Sequence, residues 1–128
     1  MKIDVRHLVG KEVGSSEDYD FGSHEAEDLL ASARLEHFMV KIKLVNLETS
    51  VLAIFSLTAT VTIECDRCLE PLKKIIALSF KREYSYDAEE EGLKITKDKI
   101  NPYQAIIEET ALNIPLKNIC KKCEENNE

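Results

Sequence analysis

The 128-residue sequence predicts an α+β domain: an antiparallel β meander of about four or five strands, one C-terminal helix packed on it, and a mobile acidic N-terminal loop near residues 11–36. Three observations predict it. Residues 38–45 and 51–64 alternate apolar and polar side chains at the two-residue period of half-buried strands. The connections between successive strands are too short for parallel crossovers. Only residues 102–113 combine helical periodicity with a start and a stop signal. A composition of 44% hydrophobic and 32% charged residues suits one folded domain spanning 1–128 and is too apolar for a disordered chain. With no Trp, four Phe and four Tyr, its core must be mostly Leu, Ile, Val and Ala.

Residues 1–8 read as a short strand, with Ile3 and Val5 alternating against Lys2, Asp4 and Arg6. From Lys11 to Glu36 eight acids face two bases, which reads as a solvated loop. Within it Ala26, Leu29, Leu30 and Ala33 recur at helical spacing behind Ser23, a candidate cap for a short helix over 25–34. In the first long strand Phe38, Val40, Ile42 and Leu44 share one face, and Met39, Lys41, Lys43 and Val45 the other. In the second, Leu57, Ala59, Val61 and Ile63 oppose Thr58, Thr60, Thr62 and Glu64. The third runs from Leu72 to Tyr86 with Ile76, Leu78 and Phe80 inward. Asp87–Gly92 is an acidic turn, and Leu93–Ile95 an expected short edge strand. The helix starts at Pro102, where a missing N–H costs nothing, with Asn101 as cap and Ile106, Ile107, Ala111 and Leu112 as its buried stripe. Pro115 stops it, and the polar tail 124–128 is expected to be disordered.

No run approaches the roughly 20 apolar residues of a spanning helix, and the N-terminus lacks an apolar signal core, so no membrane role and a cytoplasmic location are expected. A formal charge of −7 argues against binding nucleic acid over the whole surface, because such binding neutralises phosphates. The charge is uneven, however. Between Met39 and Arg82 seven bases face four acids, so Lys41, Lys43, Lys73 and Lys81, with Arg67 and Lys74 at the rim, are candidates to contact RNA or a protein partner. The same residues could instead keep sheet edges from aggregating. No exposed aromatic pair suggests base stacking. His7, His24 and His37 have no ligand spacing, and neither a nucleophile–base pair nor a phosphate-cradling loop occurs, so no enzyme activity and no small-molecule substrate are expected.

All four cysteines fall in two Cys-x-x-Cys pairs, Cys65/Cys68 and Cys120/Cys123, separated by 51 residues. Thiolates are soft ligands, and two such pairs can close one tetrahedral structural zinc site, whose charge Arg67, Lys121 and Lys122 would partly neutralise. Against this, the separation exceeds the usual zinc-ribbon spacing, and Leu69 and Glu124 stand where a knuckle carries Gly. A redox dithiol and plain buried thiols remain open alternatives.

The segment Val61-Thr62-Ile63-Glu64-Cys65-Asp66-Arg67-Cys68-Leu69-Glu70-Pro71 resembles the Cys-x-Arg-Cys-Leu signature of the YceD family, the large ribosomal RNA subunit accumulation proteins. Glu108 through Cys123, with Leu112-Asn113-Ile114-Pro115 before the second Cys pair, is similar to that family's second signature. The resemblance covers the chain from about Phe38 onward. It implies a small bacterial or organellar protein that supports accumulation of large-subunit rRNA without catalysis. The expected partner is therefore precursor rRNA or an early large-subunit assembly protein, and the alternative is a zinc-stabilised protein-interaction module without direct RNA contact. Relatives' later cysteines have no counterpart in Glu124–Glu128, so any metal site here would use Cys65, Cys68, Cys120 and Cys123 alone.

Overall fold

A computed structural model of the chain describes residues 2–23, 27–29, 33–115 and 118. In chain order the elements are β1 (Ile3–Asp4), α1 (Arg6–Val9), β2 (Ser16–Ser23), β3 (Glu27–Asp28), β4 (Arg34–Asn46), β5 (Ser50–Glu64), β6 (Pro71–Ser85), a 3-10 turn (Glu91–Leu93), β7 (Lys99–Ile100) and α2 (Tyr103–Leu112). The antiparallel sheet has the order β2-β4-β5-β6, with β3 also paired to β4, and β1 and β7 form a separate two-stranded ribbon. The α+β class and the antiparallel meander are as the sequence predicts.

The core lies on one face of the large sheet. Phe38, Val40, Ile42 and Leu44 of β4 and the odd-numbered residues Val51 to Ile63 of β5 are buried, as two-residue alternation requires. A register shift between Leu35 and His37 lets odd-numbered Leu35 join the even-numbered inward set. The Phe55 and Phe80 rings stack across β5 and β6 at 4.4 Å between centroids. The rest of the chain covers this face: Val5, Leu8, Ile95, Ile100, Ala105 and Ile106 belong to the same buried cluster. Each such side chain contributes roughly 1.5–3 kcal/mol.

Four expectations are corrected. Ser16–Ser23, read as part of the 11–36 loop, is a full strand paired residue by residue with β4. Its acids concealed the pattern, for Asp18 and Asp20 point outward while Tyr19 and Phe21 are half-buried. The helix over 25–34 does not form in its described part: Glu27–Asp28 is a strand and Arg34 opens β4, and residues 24–26 and 30–32 lie outside the described residues. The N-terminal strand stops at Asp4, whose Oδ1 accepts the Arg6 N–H at 2.8 Å and starts a single helical turn. Leu93–Ile95 is not an edge strand; Lys94 makes one parallel bridge to Ser85, and the pairing strand is Lys99–Ile100.

The helix keeps its predicted place, and Asn101 Oδ1 accepts the Tyr103 N–H at 3.1 Å. Its stripe differs, since Ala105, Ile106 and Thr110 are buried and Leu112 is 78% exposed. Thr110 is tolerated there because its hydroxyl donates to the Ile106 carbonyl at 2.7 Å. Leu112 lies about a third of a turn from the Ile106 direction and faces out. No described helix is long and apolar enough to cross a membrane.

Candidate functional site

The first cysteine pair occupies the loop from β5 to β6. Cys65 is buried and Cys68 exposed. The Leu69 N–H donates to the Cys65 carbonyl at 3.0 Å and the Cys65 N–H to the Glu70 carbonyl at 2.9 Å, closing a compact turn. Leu69 has φ 61°, so the left-handed residue that a knuckle needs after its second Cys is present although it is not Gly. Asn118 docks on this turn. The Asp66 N–H donates to the Asn118 carbonyl at 2.7 Å, and the Asn118 N–H returns a bond to Asp66 Oδ2 at 2.8 Å. Asn118 stands two residues before Cys120, within about 7 Å of chain reach. Cys120, Cys123 and the tail 124–128 lie outside the described residues, and among the described residues no three metal donors converge.

Of the candidate binding cations, Lys41, Lys43, Lys73 and Lys81 are exposed on the outward face of the sheet, Arg67 is exposed in the cysteine turn, and Lys74 is half-buried on the inward face. The register adds what the sequence could not: Asp20 stands directly opposite Lys41, and Asp18 opposite Lys43. Along the paired outward positions Arg34, Lys41, Lys43, Lys73 and Lys81 are matched by Asp18, Asp20, Asp28, Glu64 and Glu83. Five acids against five bases cancel the local positive charge inferred from residues 39–82 alone.

A cationic surface lies elsewhere. Lys2, Arg6, Lys94, Lys97 and Lys99 line an open cleft of about 680 Å³, together with Gly92, Thr96, Ile100, Asn101 and Gln104, and among the described residues no carboxylate is in its lining. Pairing of Ile3 with Ile100 and of Asp4 with Lys99 brings the N-terminal bases to the later lysines. A tight hairpin holds Lys97 at the rim. The Thr96 and Lys99 backbones exchange two bonds of 3.0 Å each, with Lys97 at φ 54° and Asp98 at φ 60°. Two neighbouring acids are occupied. Arg6 pairs with Asp4 and with Asp98 at 3.6 Å each, and the Tyr86 hydroxyl donates to Asp98 Oδ1 at 2.7 Å. That bond pushes the Tyr86 pKa up to about 12. Lys2, Lys94, Lys97 and Lys99 have no ion-pair partner among the described residues. Sequence reading missed this site because its bases come from two segments some 90 residues apart; the only local signal is three lysines within residues 94–99.

Residues 54–128, which take in the cysteine turn, its Asn118 clasp, α2 and the three later cleft lysines, match the family model described as large ribosomal RNA subunit accumulation protein YceD. The match spans more than half of the sequence. The chain belongs to the YceD family. Lys2 and Arg6 precede the matched YceD segment, so the cleft joins it to residues outside it. No curated protein and no solved structure matches the chain.

Proposed function

We propose that this YceD protein is a non-enzymatic ribosome-biogenesis factor that supports accumulation of large-subunit rRNA by binding precursor rRNA. The observation that carries the reading is the family match over residues 54–128, which includes both cysteine-flanking signatures. The decisive experiment removes the gene and compares large- with small-subunit rRNA levels, while crosslinking the tagged protein to RNA in cells. A selective fall in large-subunit rRNA with crosslinks to its precursor is expected. Unchanged rRNA ratios would defeat the reading, and crosslinks only to an assembly protein would transfer the binding role to that partner.

The Asp66–Asn118 clasp favours a second element of the proposal, a structural zinc held by Cys65, Cys68, Cys120 and Cys123. The donor chemistry fits, because the first pair sits on a knuckle-like turn and the clasp brings the chain within two residues of the second. Bound there, zinc would tie the C-terminal segment to the β5–β6 turn and would supply no reaction chemistry. Stoichiometric zinc in untagged protein is the expected result; reduced thiols without metal would refute it.

A further inference from the structure

The outward face of the sheet, where sequence reading places the RNA contact, carries opposed charges, so the cleft, where bases outnumber the described acids, is the better place for it. We infer that the cleft between the β1–β7 ribbon and the start of α2 binds the phosphodiester backbone of a single-stranded RNA segment. The inference rests on the reading above that the protein acts on rRNA directly, and it adds the site and the chemistry of recognition.

The lining is almost wholly donor in character. Lys2, Lys94, Lys97 and Lys99 offer ammonium groups, and Asn101, Gln104 and Thr96 add amide and hydroxyl donors. This set complements phosphate oxygens, which only accept. Arg6 has a positioning role: by pairing with Asp4 and Asp98 it offsets one of their two charges, so the four lysines face one uncompensated carboxylate charge, and the Tyr86 hydroxyl orients Asp98. Asp4 stands opposite Lys99 in the ribbon, yet it is Arg6 that it meets. The hairpin holds Lys97 in a left-handed conformation that costs roughly 1 kcal/mol in a non-Gly residue, as expected where a side chain must sit at a fixed place.

The same lining decides the class of ligand. A specific protein interface adds an apolar centre, and among the described residues Ile100, itself buried, is the one large apolar residue in the wall. Among the described residues no aromatic ring lines the cleft, so the contact reads backbone rather than stacked bases. The volume admits a short stretch of one strand, not a duplex.

Fluorescence anisotropy with a labelled 20-nucleotide single-stranded RNA over a KCl series tests the site. Four engaged lysines predict a slope of log K against log salt of about −3. The triple variant K94E/K97E/K99E is expected to lose at least 30-fold in affinity at 50 mM salt and to flatten the slope. A sheet variant, K41E/K73E/K81E, should change affinity less than 3-fold. Lys97→Asn tolerates the left-handed backbone and should cost about 2- to 5-fold, so the result does not depend on one heavily altered protein. Circular dichroism confirms folding of each. Wild-type affinity in the cleft variant, or the larger loss in the sheet variant, would overturn the inference. So would displacement of RNA by a poly-glutamate peptide of equal charge at equal concentration, which would make the ligand an acidic protein segment. Loss of RNA binding in the cleft variant with normal large-subunit rRNA in cells would uphold the site and defeat the proposed function instead.

Discussion

Replacing Tyr84 by Phe should stabilise this protein, against the usual effect of core substitutions. Tyr84 lies on the inward face of β6, paired with Val51, and is 0% exposed. Its hydroxyl has no hydrogen-bond partner among the described residues. An unpaired buried hydroxyl costs roughly 1–3 kcal/mol, whereas Phe keeps the ring and its packing. At pH 7 the expected gain is about 1 kcal/mol, or roughly 4 °C in Tm for a domain of this size. Alkaline pH supplies an independent readout. Burial, chiefly, raises the Tyr84 pKa to about 12, with Glu108 adding to the rise and Arg82 opposing it. The folded state thus holds the phenol proton after an unfolded Tyr, near 10, has lost it. Stability from this group is complete below pH 10 and is lost as pH rises from 10 to 12. Tyr84→Phe removes that loss, so its advantage over wild type should grow by about 1.4 kcal/mol between pH 7 and 11. Other alkaline titrations are common to both proteins and cancel. Urea unfolding at both pH values measures it. A variant destabilised by more than 1 kcal/mol at pH 7, with a difference that does not change with pH, would show that the hydroxyl is bonded and the reasoning wrong.

The two cysteines of the first pair separate metal from packing. If both ligate zinc, Cys65→Ser and Cys68→Ser should each release the metal and destabilise comparably; if they are only fillers, buried Cys65 should matter and exposed Cys68 should not, as zinc content and thermal melts will show. Strand β6 is a sheet edge, and the Ile95 N–H donating to the Ser85 carbonyl at 2.8 Å shows which alternate residues direct their backbone outward. Lys73 and Lys81 share that alternation, so Lys73→Val with Lys81→Val should produce concentration-dependent self-association in sedimentation velocity. The half-buried Arg82–Glu109 pair joins β6 to α2, with the Arg82 guanidinium 5.2 Å from the Phe80 ring centre. Arg82→Gln should cost about 1–3 kcal/mol and raise amide exchange in α2.

The long strands were legible because burial on one face imposes a strict two-residue period, and the ends of β4, β5 and β6 fall close to those read from the sequence. Strand β2 was not, because its apolar content is only Tyr19 and Phe21 among acids. What makes it a strand is the neighbouring β4, and tertiary pairing overrides composition there. The same omission distorted the charge reading of the sheet. Charge summed along residues 39–82 cannot include Asp18 and Asp20, which reach the sheet from an earlier segment and lie beside Lys43 and Lys41. The cysteine turn was half legible. Its residues announced the family, but the absence of Gly suggested a poor knuckle, whereas Leu69 adopts the required left-handed backbone itself.

These observations change what a net charge of −7 means for a protein of this family. The acids are not spread evenly: they line the β2 edge, where they cancel sheet lysines, and the Asp87–Glu91 turn, which runs into the cleft at Gly92. At physiological salt a charge is felt over about 8 Å, so a phosphate in the cleft responds to the lysines that line it more than to the total. A strand of RNA on the outward face of the sheet meets opposed charges of both signs. Binding at one short cationic cleft on a molecule of net negative charge would give modest affinity and low non-specific attachment. For the proposed rRNA-binding role that combination suits reversible attachment to one exposed single-stranded segment, and a uniformly basic surface would not provide it.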